Sequence, residues 1–296
     1  MVEHSCPVHS RAAAPAGGHA SAMRHFVVLA LVMVLLMAKQ AGAQGATQQV
    51  RLQSTASDRA VLTARLHRPN TRGPVPAVVL MHGCGGWQPE VLASLEAYAR
   101  FISSNGFVVL NLDSFSTRNR AGGRVCGSLG ELSRARDYRT HDAFAALQFL
   151  RNQSFVDAEN VFLVGQSNGG SVALISALSR TASRFGGEGF RGVVALYPWC
   201  GAAGGTRLDL HSPVLVLGGG RDDWVPPDQC SRFRGRGQEL SVTIYPHAAH
   251  SFDLRIPIQR YMGNLVGYNP QAAAATRTEM LAFFRRHIAD GRTAMR

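Results

Sequence analysis

Val161-Phe-Leu-Val-Gly-Gln-Ser-Asn-Gly-Gly170 is the stretch whose reading decides the fold. An apolar, β-branched run ends in Gly165-Gln166-Ser167-Asn168-Gly169, a G-x-S-x-G pattern with small residues after it. This reads as a nucleophile elbow: a buried strand turns sharply into a helix and leaves one serine exposed at the turn. The residues two before and two after that serine approach so closely that a β-carbon would clash, so both are glycine. The same pattern arises by chance in a chain with 31 Gly. The surrounding elements must therefore carry the argument.

Outward from the elbow, strand and helix alternate. Ala77–Met81 (AVVLM) is a short, continuously apolar run of the kind a buried parallel strand shows, and Phe107–Leu112, Val193–Tyr197 and Val214–Leu217 read as further buried strands. Val242–Tyr245 is a further strand. The spacing predicts helices over Pro89–Ser104, about 133–151, Asn168 to about Thr181, just after Pro227, and about 271–288. Val50–Gln53 and Val61–Leu66 alternate and read as an antiparallel hairpin at a sheet edge. The expectation is an α/β protein with a mostly parallel central sheet and helices on both faces.

A serine hydroxyl is a poor nucleophile and needs a base within hydrogen-bond reach, itself oriented by an acid. After such an elbow the partners follow in the order acid, then histidine, each in a loop past a later strand. Val214–Leu217 leads into Gly218-Gly-Gly-Arg-Asp222-Asp223-Trp-Val-Pro-Pro227, and Val242–Tyr245 into Pro246-His-Ala-Ala-His250-Ser-Phe252. Asp222 and His250 are the preferred partners, with Asp223 and His247 as competitors. His141, His211 and His287 read as surface or helix residues, and no pair has a metal-binding spacing. A developing oxyanion needs two backbone donors. The amide of Asn168, at the helix start, is one. The loop His82-Gly-Cys-Gly-Gly-Trp87, whose glycines let amides turn inward, supplies the other by position at Cys84.

The apolar block Phe26–Ala38, preceded by Arg24 and His25 and followed by Ala41-Gly-Ala43, has the layout of a signal peptide. Cleavage is expected after Ala43, with residues 44–296 forming one domain. At 13 residues the block is too short to span a bilayer, so no stable membrane anchor remains. Met23 stands where such a leader normally begins. The expected destination is the periplasm or the exterior. Export leaves Cys84, Cys126, Cys200 and Cys230, which allow three pairings in an oxidising compartment. Cys84–Cys126 and Cys200–Cys230 are favoured, because each pair would join loops at one end of the sheet. The formal charge of +12 does not point to nucleic acid. The only lysine, Lys39, lies in the leader, and the arginines are scattered without basic runs or interleaved aromatics.

Taken together, the H-G-C-G-G-W loop, Arg139-x-x-Asp142-Ala143-x-x-Ala146-Leu147, the elbow, Gly220-x-Asp222-x-x-Val225-Pro226 and His250-Ser-Phe252 resemble the dienelactone hydrolase family. The resemblance covers about residues 60–290. It implies an α/β-hydrolase fold, a triad of Ser167, Asp222 and His250, and no cofactor or metal, with Asp142 structural. Two departures stand out. The dienelactone-cleaving members carry a cysteine nucleophile, where this chain has Ser167, and a glutamate near the oxyanion loop, where it has Gly83. Those members hold a substrate carboxylate with arginines, for which Arg118 and Arg255 are candidates without a clear positional match. Trp87, Phe115, Trp199 and Trp224 are the expected aromatic pocket residues.

The resulting expectation is a serine-dependent ester or lactone hydrolase acting on a small molecule through an acyl-enzyme. Its activity should fall below about pH 6–7, because the base must be neutral. A peptidase or amidase with the same triad is an alternative reading, and so is a binding protein that keeps the fold without turnover. Substrate identity and oligomeric state are not legible.

Overall fold

Alternate residues of the AVVLM run go to opposite sides of one sheet: Val79 and Met81 join one hydrophobic core, Val78 and Leu80 another. That is the consequence of a two-residue period in a strand covered on both faces. The computed structural model describes residues 45–118 and 124–289, so the expected leader lies outside the described residues. In chain order the main strands are β1 (Thr47–Gln53), β2 (Val61–His67), β3 (Val75–Met81), β4 (Val108–Asp113), β5 (Val156–Gln166), β6 (Val193–Leu196), β8 (Val214–Gly219) and β10 (Leu240–Tyr245). They form one eight-stranded sheet in the order β1-β2-β4-β3-β5-β6-β8-β10. The β1–β2 and β2–β4 pairings are antiparallel, and the others are parallel.

Helices cover both faces. Helix α1 (Pro89–Ser104) buries Leu95, Tyr98, Ala99 and Ile102, and α6 (Pro270–His287) buries Met280, Phe283 and Phe284 in the same core. On the other face lie α2 (Leu129–Arg151) and α3 (Asn168–Ser176). Helix α2 starts several residues before the expected position, because Ser128 caps it by accepting from the Glu131 amide at 3.1 Å. The helix expected to run to Thr181 is broken instead. Leu178 adopts an extended conformation and bridges Leu210, and α4 (Ser179–Arg184) follows.

Two small sheets went unforeseen. Strands β7 (Arg207–Asp209) and β9 (Arg234–Arg236) pair in parallel. Strands β11 (Gln259–Tyr261) and β12 (Asn264–Val266) form a hairpin whose turn, Met262-Gly263, has positive φ at both residues. Helix α5 (Asp228–Ser231) is the short one expected after Pro227. No helix among the described residues is long and apolar enough to cross a membrane.

Candidate active site

Ser167 sits between β5 and α3 with φ 52° and ψ −115°, left-handed backbone that a non-glycine residue adopts at a cost. The flanking glycines make the turn possible. A β-carbon on Gly165 would fall on the Gly169 carbonyl, and one on Gly169 would stand 2.5 Å from the His82 carbonyl. A β-carbon on Gly83 would come within 3.2 Å of the Ser167 β-carbon, so the loop after β3 lies directly against the serine.

The loops past β8 and β10 bring the other two side chains in. His250 Nε2 lies 2.9 Å from Ser167 Oγ, and His250 Nδ1 lies 2.7 Å from Asp222 Oδ2. The second oxygen of Asp222 accepts from the amides of Trp224 at 3.0 Å and Val225 at 2.9 Å, which fixes the carboxylate for the histidine. Asp222 and His250 are 4% and 2% exposed, so solvent does not compete for these bonds. Their competitors are engaged elsewhere. Asp223 is exposed, pairs with Arg260 at 3.0 Å and accepts from the Leu265 amide, and His247 is exposed. The hairpin absent from the sequence reading steadies the histidine: the His250 amide donates to the Leu265 carbonyl, and Gly267 donates to that of His250.

Directly after the serine, Asn168 opens α3, where first-turn amides have no intrahelical acceptor. His82, fully buried, donates from Nδ1 to the Gly83 carbonyl at 2.7 Å and accepts at Nε2 from the Ser114 amide at 3.2 Å. Burial, and then the neighbouring Arg139 guanidinium, pull its pKa below the ordinary histidine range, so the ring is neutral. The Asp113 carboxylate accepts from the Ser116 hydroxyl and from the Phe115 and Ser116 amides, and its pKa is driven well below the usual range despite its burial.

A second buried network reaches the site from below. Asp253 accepts from Gln166 Nε2 and from Tyr197 Oη, each at 2.6 Å. Burial raises its pKa. Gln166 precedes the serine, and the Tyr197 ring stands edge-on to His250 with centroids 4.7 Å apart. Sequence reasoning passed over this network, although Asp253 lies three residues past His250.

A cavity of about 340 Å³ opens at Ser167 and His250. Its walls include Trp224, Tyr261, Leu254, Ile256 and Val266, with Cys84 and Cys126 beside Gly83. The cysteine sulfurs pair at bonding distance as Cys84 with Cys126 and Cys200 with Cys230, at Cα separations of 5.1 and 5.4 Å.

Of the six expected pocket residues, Trp224 lines this cavity and five do not. Trp87 packs onto the core beside α1 under the Arg65 guanidinium. Phe115 is fully buried against the His82 ring. Arg118 is bound by Asp58 and Asp142, both at 2.6 Å. Trp199 is exposed in a different groove, with Arg136 stacked on it. The Arg255 side chain is exposed, and its amide donates to Ser94.

A serine at a strand-to-helix turn, a histidine and an aspartate from later loops, and a parallel sheet beneath them define the α/β-hydrolase class. Within that class, residues 62–288 match the family model described as "Dienelactone hydrolase family". The chain belongs to this family and is accordingly a carboxylic ester hydrolase. It is 26% identical over 243 residues to a Bradyrhizobium protein named "Probable 2-oxo-3-(5-oxofuran-2-ylidene)propanoate lactonase", covering 78% of this chain and 91% of that one. Two solved structures share the fold. One is a dienelactone hydrolase-like promiscuous phosphotriesterase from metagenomic libraries, 22% identical with a TM-score of 0.60 over 83% of this chain and 100% of that one. The other is an esterase of Thermogutta terrifontis, 16% identical with a TM-score of 0.54 over 79% of this chain and 92% of that one.

Proposed function

We propose that the protein is an exported serine hydrolase that cleaves small carboxylic esters or lactones through an acyl-enzyme. The observation that carries this reading is the unbroken chain Ser167 Oγ, His250 Nε2, His250 Nδ1 and Asp222 Oδ2, with links of 2.9 and 2.7 Å. His250 takes the serine proton as Oγ attacks the carbonyl carbon. Asp222 accepts from Nδ1–H and so leaves Nε2 as the base. The amides of Cys84 and Asn168 receive the oxyanion, and its collapse expels the alcohol, which takes the proton from His250. Water then repeats the sequence and releases the acid.

The mostly apolar cavity supports a small organic substrate, and the lactonase name of the Bradyrhizobium relative supports including lactones. Export is supported by the Phe26–Ala38 block and by two paired cysteine sets, which persist in oxidising compartments. Hydrolysis of p-nitrophenyl acetate by the domain from residue 44 onward, alongside its Ser167→Ala variant, tests the chemistry. The variant should retain no more than a few per cent of the activity. N-terminal sequencing of the exported protein tests the cleavage after Ala43.

A further inference from the structure

We infer that Arg139 is a positioning residue for the oxyanion site, clamping together the two segments that supply its amides. The inference rests on the reading of Cys84 and Asn168 as the oxyanion donors. Arg139 projects from α2 and is fully buried. Its Nη1 donates to the Asn168 side-chain oxygen at 2.7 Å, and its Nη2 donates to the His82 carbonyl at 2.6 Å. One contact thus lies on the residue after the nucleophile. The other lies on the strand end that opens the His82-Gly83-Cys84 loop. The guanidinium also stacks over Phe115 at 4.8 Å, and Phe115 packs on the His82 ring.

Packing does not account for an arginine here. Among the described residues no carboxylate lies within ion-pair distance of Arg139. Burial pushes its pKa down to about 10, which leaves it a cation at neutral pH. A buried charge with no carboxylate in direct contact costs desolvation, and Asp142 and Asp113 attract it only from beyond ion-pair distance. What the arginine adds is geometry. Two donors must converge on one oxygen, and small errors in their placement raise the barrier. The Asn168 side-chain Nδ2 also donates to the Leu132 carbonyl at 3.2 Å, so the asparagine side chain is held between the α2 backbone and the guanidinium. Gly169 abuts the His82 carbonyl closely enough that a β-carbon would clash, so the two segments shift together or not at all. The sign of the charge also favours an oxyanion nearby.

The test uses Arg139→Met, Arg139→Lys and Asn168→Ala in the otherwise intact domain, with p-nitrophenyl acetate kinetics and thermal unfolding for each. Affinity for an aryl trifluoromethyl ketone, whose serine hemiketal places an oxyanion in the site, is measured in parallel. Arg139→Met should lower kcat about 100-fold, in the range of one lost oxyanion donor. KM should change little, and ketone affinity should fall in proportion to kcat. Arg139→Lys should recover part of that loss. Asn168→Ala, which keeps the backbone amide but cuts one tie, should lose about tenfold in kcat, a fraction of the loss of a whole donor. A folded Arg139→Met protein with near wild-type kcat overturns the inference, as does a loss confined to KM. If that variant does not fold, wild-type kcat in Asn168→Ala overturns it instead. Fluorophosphonate labelling of the unmutated protein reports on the nucleophile alone, so the two readings fail separately.

Discussion

The Nδ1–H of His82 donates to the carbonyl oxygen of Gly83, the residue that follows it in the chain, across 2.7 Å. That carbonyl shares a planar trans peptide with the amide of Cys84, and its two polar groups point in opposite directions. Holding the oxygen against the buried imidazole therefore turns the Cys84 N–H the other way. His82→Ala should lower kcat by about tenfold or more, short of the full loss of a donor, while KM changes little. It should also destabilise the protein by about 1–3 kcal/mol, because the buried Ser114 amide loses its acceptor. Steady-state kinetics beside urea unfolding check both parts.

The same histidine sets a pH dependence of stability. Its folded pKa is depressed, so below about pH 6.5 the unfolded chain binds the proton more readily than the folded one. Stability should therefore fall as the pH drops through that value, and His287, also depressed, adds in the same sense. Asp113 contributes stability that is present above about pH 4 and is lost below it as the carboxylate is forced to protonate. Denaturant midpoints between pH 3 and pH 8 should show the two declines, and His82→Gln should flatten the upper one.

The two cysteine pairs should differ in their functional weight. Cys84–Cys126 closes a segment of 42 residues and Cys200–Cys230 one of 30, so opening either should lower stability by about 4 kcal/mol on loop entropy. Only the first includes a residue of the loop beside Ser167, proposed above as an oxyanion donor, and lines the cavity. Cys126→Ser should lower kcat at temperatures where the protein is still folded, whereas Cys230→Ser should lower the unfolding temperature with kcat intact. Equal kinetic effects would contradict this.

Arg118 now carries a structural prediction in place of a substrate-binding one. Its guanidinium neutralises Asp142, which is fully buried. Arg118→Ala should destabilise the protein by about 3 kcal/mol, as removing one partner of a buried pair does. KM for anionic and neutral esters should shift together or not at all.

How far the sequence carried depended on whether a signal was local. The buried strands and the elbow were legible because apolar runs and glycines report directly on burial and close approach. Asp222 and His250 were legible because the fold dictates their order along the chain. Arg118 and Phe115 were misassigned because loop position does not say which way a side chain points. The Arg118 guanidinium turns to Asp58 and Asp142, and Phe115 turns into the core. The β11–β12 hairpin left only a Met-Gly turn as its mark, since three-residue strands are too short to show a period. Arg139 was visible within its helix motif. Its burial depends on contacts 29 and 57 residues away, which no local pattern reports.

The most direct test of the account is fluorophosphonate labelling of the domain followed by peptide mapping. A single adduct on Ser167 is predicted, with loss of ester hydrolysis in step with labelling, and with both abolished in Ser167→Ala. An adduct on another residue, or undiminished hydrolysis by the labelled protein, would contradict it.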